Sequence, residues 1–195
     1  MAISRADALL GWYVATRGGG ARSLRRVEDA VGPIESWWEA RVETARAVSA
    51  TSPQIAANLA GSAVDDQTAS LRVDLARLQF QIDFAEAWPG LRALPDPPVL
   101  LFRKGLAAGD MRSMTVVGAR SATAYGLKAA RVFAGAAAAE GVAIVSGMAR
   151  GIDAAAHRAA LEVGGTTIAV LGSGPDRAYP DENAALQEEV GERGT

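Results

Sequence analysis

Cysteine is absent from this chain of 195 residues, and histidine occurs once, as His157. The lack of cysteine excludes disulfide scaffolds, thiolate catalysis and thiolate metal sites, and a single histidine argues against a multi-histidine metal centre. Apolar runs are also short: Val132–Ala139 ends at Glu140, well below the roughly 18–20 residues of a membrane helix. Because Asp7 follows Arg5 closely, the N-terminus makes a poor signal peptide. These absences predict a cytoplasmic protein without a metal centre or a membrane contact.

Neither sign of charge dominates the chain, whose net charge is −2. That total argues weakly against a nucleic-acid ligand. The distribution is uneven, because residues 100–180 carry a net +4 and residues 181–195 a net −4. Local potential matters more than total charge for attracting a ligand, so the positive segment indicates an anionic ligand.

The spacing of apolar residues and the glycine-containing turns predict five short helices in residues 1–87. The first covers residues 5–16, Ser23 is expected to cap the second, and the fifth extends to about Phe84. Such a helical domain could contact DNA or dock a partner, or it could be a cap with no activity of its own. The sequence leaves both readings open.

Residues 88–112 form a proline-rich connector in which residues 99–102 could make a short edge strand. From residue 113 onward, short apolar strands alternate with longer helical segments. The predicted strands cover residues 114–117, 143–145 and 167–171, and the helices cover residues 124–140 and 152–163. Strands that alternate with helices of this length predict a parallel sheet of the Rossmann-like α/β class over residues 113–195.

Each predicted strand ends in a glycine-containing loop, over residues 118–121, 146–151 and 172–177. In parallel sheets such loops meet at one edge, where ligands bind. Glycine exposes backbone N–H groups, and each loop adds one arginine suited to phosphate, namely Arg120, Arg150 or Arg177. The first strand is expected to be central in the sheet, which would place Arg120 in the crevice. The loops therefore predict a phosphate-binding site.

Two other readings of these loops are weaker. A dinucleotide site would need glycines where Arg120 and Thr123 follow Gly118, so a nicotinamide-dependent dehydrogenase is disfavoured. Asp153 and His157 are four residues apart on one predicted helix, where a structural pair is favoured over an acid–base dyad. We expect no cofactor and no catalytic residue.

Several strings resemble the DNA processing protein A (DprA, or Smf) family. They are Val117–Arg120 with Tyr125-Gly126, Val145–His157, Thr166–Gly172, Asp176–Asn183 and the connector Trp88–Leu91 with Pro95–Leu100. The resemblance covers about residues 88–190, and the helical N-terminus fits the sterile-alpha-motif-like or helix-hairpin domains of that family only loosely. It implies a Rossmann-like domain that binds single-stranded DNA without sequence preference, protects incoming DNA in natural transformation and helps load RecA. It also implies a binding protein rather than an enzyme.

The resemblance assigns DNA or phosphate contacts residue by residue. The implied contacts are Gly118, Arg120, Ser121, Ser146, Gly147, Arg150, Gly151, Arg177, Tyr179 and Asn183. From the residues alone, Tyr179 either packs on the sheet or offers a ring for base stacking. The implied partners are single-stranded DNA, RecA and a second copy of the chain.

One departure concerns length, because family members continue with further strands and helices beyond the point where this chain stops. The expectation is a Rossmann-like domain truncated after its third strand, without much of the family's dimer and RecA surfaces.

The alternative function is a nucleoside-monophosphate phosphoribohydrolase of the LOG type. That class needs a proline before Gly164-Gly165-Thr166 and a catalytic glutamate at a set spacing after it. Here the proline is absent and no glutamate follows at that spacing. A third reading is an inert scaffold that binds neither DNA nor nucleotide.

Overall fold

A computed structural model describes residues 3–50, 52–84, 88–106, 111–173 and 177–194. Contacts within the chain divide it into two compact units, Met1–Phe102 and Arg103–Thr195. We call them the helical unit and the α/β unit. None of the helices among the described residues is long and apolar enough to cross a membrane.

The helical unit contains a series of short helices followed by a small sheet. Its helices are α1 (Arg5–Thr16), α2 (Ala21–Val31), α3 (Ile34–Trp37), α4 (Arg41–Val48), α5 (Pro53–Leu59) and α6 (Val64–Arg77), with 3₁₀ turns at Trp38–Ala40 and Pro89–Ala93. Strands β1 (Gln81–Phe84) and β2 (Leu100–Arg103) pair in a two-stranded sheet. The first helix agrees with the prediction in both bounds.

Tryptophans organise the core of the helical unit. Trp12, Trp37 and Trp38 are buried, and the ring centroids of Trp12 and Trp37 lie 6.5 Å apart in an edge-on arrangement. The Trp12 indole N–H donates to the Gly19 carbonyl at 3.3 Å and that of Trp37 to the Gly32 carbonyl at 2.8 Å. Each indole therefore buries apolar area and also anchors the glycine turn that ends α1 or α2.

Three predictions for the helical unit are wrong. Its described residues contain six α-helices rather than the predicted five. Ser23 does not cap α2, since Gly20 occupies the cap and the Arg22 N–H donates to the Asp96 carboxylate at 2.8 Å. The last helix ends at Arg77 rather than near Phe84, because the chain turns through Gln79 with a φ of 60°. In the residues that follow, polar and apolar side chains alternate as in a strand. They pair with β2, which lies further along the sequence.

The α/β unit is a three-stranded parallel sheet with helices between its strands. Its elements are β3 (Ser113–Thr115), α7 (Ala124–Ala139), β4 (Ala143–Ser146), α8 (Ile152–Glu162), β5 (Thr167–Ala169) and α9 (Ala184–Arg193), with a 3₁₀ turn at Asp181–Asn183. The strand order is β3-β4-β5, all parallel. The predicted α/β class, preceded by a helical region, is confirmed. The strand before Arg120 is not central, however, because β3 lies at the edge of the described sheet and β4 in its middle.

Small residues let the layers of the α/β unit approach closely. Ala134 and Ala138 of α7 pack with Ala156 and Ala160 of α8 over the buried Ile144 of β4. Alanine suits helix formation, and its small side chain allows two helices to lie side by side above a narrow sheet. This packing fixes the start of α8, and with it the loops at the carboxyl ends of the strands.

Candidate functional site

The first two strand-end loops are packed against each other. The Ile152 N–H at the start of α8 donates to the Ala119 carbonyl at 3.3 Å. Gly151 has a φ of 76°, and a side chain there would run into the carbonyl oxygens of Ala119 and Arg120. A side-chain carbon at Gly118 would lie 2.7 Å from the Ile152 side chain. Both glycines thus permit loop-to-helix packing, which holds Arg120 beside the second loop.

Ser146 ties two strand ends together. Its side chain is 2% exposed, and its hydroxyl donates to the Val116 carbonyl at 2.6 Å across thirty residues of sequence. The Val170 N–H donates to the Ser146 carbonyl at 2.9 Å, which brings the third strand end to the same place. The hydroxyl of Ser146 is therefore a structural bridge between β4 and the residues after β3, and the phosphate contact that the sequence assigns to Ser146 stays a prediction.

The Gly147 amide is also occupied. Its N–H donates to the buried Asp153 carboxylate at 3.2 Å. The sequence reading left this amide free for a phosphate, whereas the structure gives it a carboxylate of its own chain. Asp153 therefore closes the second loop onto the first turn of α8, where negative charge is favoured.

Asn183 holds the second loop from the other side. It is 3% exposed, and its amide N–H₂ donates to the Met148 carbonyl at 2.9 Å and the Ala149 carbonyl at 3.4 Å. Met148 is itself fully buried with a φ of 61°, a conformation that costs free energy for a side-chain-bearing residue. Asn183 thus stabilises this loop from within the chain, and its contact with DNA stays a prediction.

The side chains that remain accessible are fewer than the sequence predicted. Arg120, Ser121 and Arg177 are exposed, and Tyr179 is 62% exposed. Arg150 is exposed as well, but its guanidinium pairs with Glu182 at 3.0 Å. The Ser173 hydroxyl donates to the Arg177 carbonyl at 3.0 Å and closes the third loop. Residues 174–176 of that loop lie outside the described residues.

His157 belongs to the core. It is fully buried, and its Nδ1 lies 2.7 Å from the Thr167 hydroxyl, which donates to the Ile144 carbonyl at 2.8 Å. The imidazole must therefore donate its Nδ1–H to Thr167. Burial lowers the pKa of His157 to about 4, against the opposing influence of Asp153. Among the described residues no hydrogen bond joins Asp153 and His157, because each has a hydrogen-bond partner on another segment, and Asp153 acts on the imidazole through its charge.

Sequence reasoning missed a cleft beside the second loop. Its volume is about 400 Å³. Its wall includes Arg131, Arg150 and Arg158, together with Glu182 and Asn183. Arginines on exposed helical turns carry no local sequence signal, so only the packing of α7 on α8 could reveal them. Within the described ranges no three His, Cys, Asp or Glu side chains are grouped as a metal would require.

Comparison with known proteins gives a consistent result. A sequence model of the family described as DNA recombination-mediator protein A matches residues 80–195. Protein Smf of Escherichia coli is 44% identical over 107 residues, which cover 54% of this chain and 29% of that protein. The chain spans about a third of the length of the curated relatives it matches.

Two solved structures resemble the chain. The X-ray structure of DNA processing protein A from Streptococcus pneumoniae matches with a TM-score of 0.64 at 26% identity, over 98% of this chain and 66% of the other. DNA processing protein A from Helicobacter pylori, described for its single-stranded DNA binding mode, matches with a TM-score of 0.50 at 29% identity. That match covers 60% of this chain and 54% of the other.

Proposed function

The chain belongs to the DNA recombination-mediator protein A family, and on that premise we propose that it binds single-stranded DNA through the strand-end loops of its α/β unit. The observation that carries the proposal is the placement of Arg120. It is exposed on a loop that Gly151 packs against α8. A rigid loop fixes the base of the guanidinium, whose planar fork suits two phosphate oxygens.

The accessible groups favour the nucleic-acid backbone over base edges. Arg120, Arg150 and Arg177 offer charge-assisted contacts to phosphates, and Tyr179 offers an exposed ring on which a base of any type can stack. Backbone contacts position a strand without reading its sequence. We therefore propose binding without sequence preference, in which Ser146, Gly147 and Asn183 shape the loops.

We also propose a binding protein rather than an enzyme. Asp153 and His157, which the sequence suggested as a proton-transfer pair, are buried and hydrogen-bonded to other parts of the α/β unit. Protection of incoming DNA, loading of RecA and self-association are likewise proposals, because the chain spans about a third of the length of its curated relatives. The helical unit has no role assigned by this proposal.

The proposal is tested by fluorescence anisotropy with a labelled oligonucleotide, single-stranded and as a duplex. Single strands should bind more tightly, and about three phosphate contacts predict a slope of log affinity against log salt near −2. Arg120→Ala should weaken single-strand binding by about 1.5–3 kcal/mol, and Arg120→Lys should show whether the fork itself matters.

The matched control is Arg112→Ala, which removes the same charge from an exposed residue at the opposite ends of the strands. It should bind like the parent. Equal affinity for duplex, a flat salt response, or equal losses for Arg112→Ala and Arg120→Ala would each contradict the proposed site.

A further inference from the structure

A basic cleft extends from the second loop along the outer side of α8. It is lined by Arg150 of the second loop, Arg131 of α7 and Arg158 of α8, and has a volume of about 400 Å³. Ala154 and Ala155 also line it. Its volume falls within the range of ligand sites.

The arginines of this cleft differ in whether a carboxylate neutralises them. Arg131 forms a two-pronged ion pair with Glu162, at 2.6 and 2.9 Å, and Arg150 pairs with Glu182. Arg158 is exposed, and in the described part of the chain its recorded partner is the uncharged Asn183 Oδ1 at 3.4 Å. Exposed ion pairs contribute little free energy, so an incoming phosphate can compete for Arg131 and Arg150 and finds Arg158 already available.

Asn183 links the cleft to the second loop. The same side chain that accepts from Arg158 donates to the carbonyls of Met148 and Ala149. Because Asn183 is buried and held by the loop, it orients the guanidinium at a fixed place relative to the loops. Arg158 is thus partly preorganised for an anion, unlike an arginine on a free helical surface.

The cleft ends where the charge changes sign. Beyond Arg158 lies a second cavity of about 380 Å³ lined by Arg158 and Arg193 but also by three glutamates, Glu162, Glu182 and Glu189. Arg193 is itself paired with Glu189 at 2.5 Å. An anionic strand would be repelled there, so Arg158 marks the end of the favourable path.

We infer that Arg158 and Arg131 form a second phosphate subsite, which binds the sugar–phosphate backbone of a single strand after it leaves the strand-end loops. This subsite deepens the proposed function and rests on it. The occupant is a further stretch of the same single strand, because the cleft opens directly from the loop that carries Arg150. A strand too short to pass that loop would not touch it.

Oligothymidylates of two lengths separate the subsite from the loops. A probe of about four nucleotides should reach the loops alone, and one of about 15 nucleotides should fill both, within the site sizes of single-strand binding proteins. Arg158→Ala should leave the short probe unaffected and weaken the long probe about three- to tenfold. It should also make the salt slope of the long probe shallower by about 0.7.

Arg112→Ala is the charge-matched control, and Arg131→Ala provides a second variant if Arg158→Ala fails to fold. The inference is overturned if Arg158→Ala and Arg131→Ala bind the long probe like Arg112→Ala, or if they weaken both probes equally. The proposed function fails separately, namely if the parent binds neither probe or if Arg120→Ala leaves both affinities unchanged.

Discussion

The helical unit and the α/β unit each contain half of the 20 lysines and arginines, but they use them differently. In the helical unit, Arg5 bridges Glu28 and Glu35 at 3.0 and 2.8 Å, and Arg41 lies over the Trp38 ring. These guanidiniums connect helices. Both side chains therefore stabilise the fold of this unit, whereas others, such as Arg25, are exposed.

Among the residues that the structure describes, Arg120, Arg158 and Arg177 of the α/β unit are exposed and form no ion pair. They lie on loops at the strand ends or on the adjacent helix. Because exposed arginines such as Arg25 also occur in the helical unit, the number of basic residues does not distinguish the two units. The proposed binding surface rests instead on the placement of arginines on the loops at the strand ends.

The two units also differ in their aromatic residues, which makes them separable by experiment. All four tryptophans precede residue 103, so the α/β unit has none. Tryptophan fluorescence therefore reports unfolding of the helical unit, while far-ultraviolet circular dichroism reports both. The comparison can be tested by perturbing one unit and observing both signals.

The largest effect is expected from Gly151→Ala. The added carbon would meet two backbone carbonyls of the first loop, and the backbone has a positive φ, so the free energy of unfolding of the α/β unit should fall by more than about 3 kcal/mol. The dichroism transition in urea should shift to lower denaturant while the tryptophan transition stays in place.

Gly164→Ala is the control for backbone conformation alone. Gly164 has a similar φ of 71° with open space around its α-carbon, so its substitution should cost only about 1 kcal/mol. Equal costs for the two variants would show that the contact between the loops is not tight. A joint shift of both signals would show that the units unfold as one.

The loops themselves could be predicted from the sequence, because glycines bracket each strand and a helix follows. The roles of individual side chains could not. Ser146 and Asn183 carry their hydrogen bonds to carbonyls thirty and thirty-five residues away, and no local pattern encodes such partners. The strand at Gln81–Phe84 was missed for the same reason, since its partner β2 follows a proline-rich segment.

Acid should destabilise the α/β unit before the helical unit. The pKa of buried His157 is lowered to about 4 from an ordinary 6.5. The unfolded chain therefore takes up a proton between pH 6.5 and 4 that the folded chain does not. Stability should be lost as the pH falls through this window, by about 3 kcal/mol in total, seen as a lower urea midpoint by dichroism.

The helical unit has no histidine. Its carboxylates with shifted pKa values titrate at a lower pH than the window in which His157 acts. The Ser4 hydroxyl and Arg72 hold the pKa of Asp7 below its usual 3.8. The stability that ionised Asp7 adds to the folded state is therefore fully present above pH 3.8 and is lost only below it. The tryptophan midpoint should thus stay nearly constant from pH 6.5 to 4. His157→Gln should abolish the pH dependence of the dichroism midpoint, and its persistence in that variant would assign the effect to other groups.

The smallest effect is expected from Arg177→Ala, which tests where a single strand binds. Arg177 follows the third strand end but is exposed, with its loop held by Ser173, so solvent screens its contact with a phosphate. Arg177→Ala should weaken single-strand binding by about 0.5–1 kcal/mol, less than Arg120→Ala.

Arg25→Ala removes an equally exposed arginine from α2 of the helical unit and should change affinity by less than the error of an anisotropy titration. Both variants should keep the parent's dichroism and melting, since neither side chain is buried. If Arg25→Ala instead weakens binding more than Arg120→Ala does, free arginines at strand ends are not what distinguishes the two units, and the DNA surface belongs to the helices.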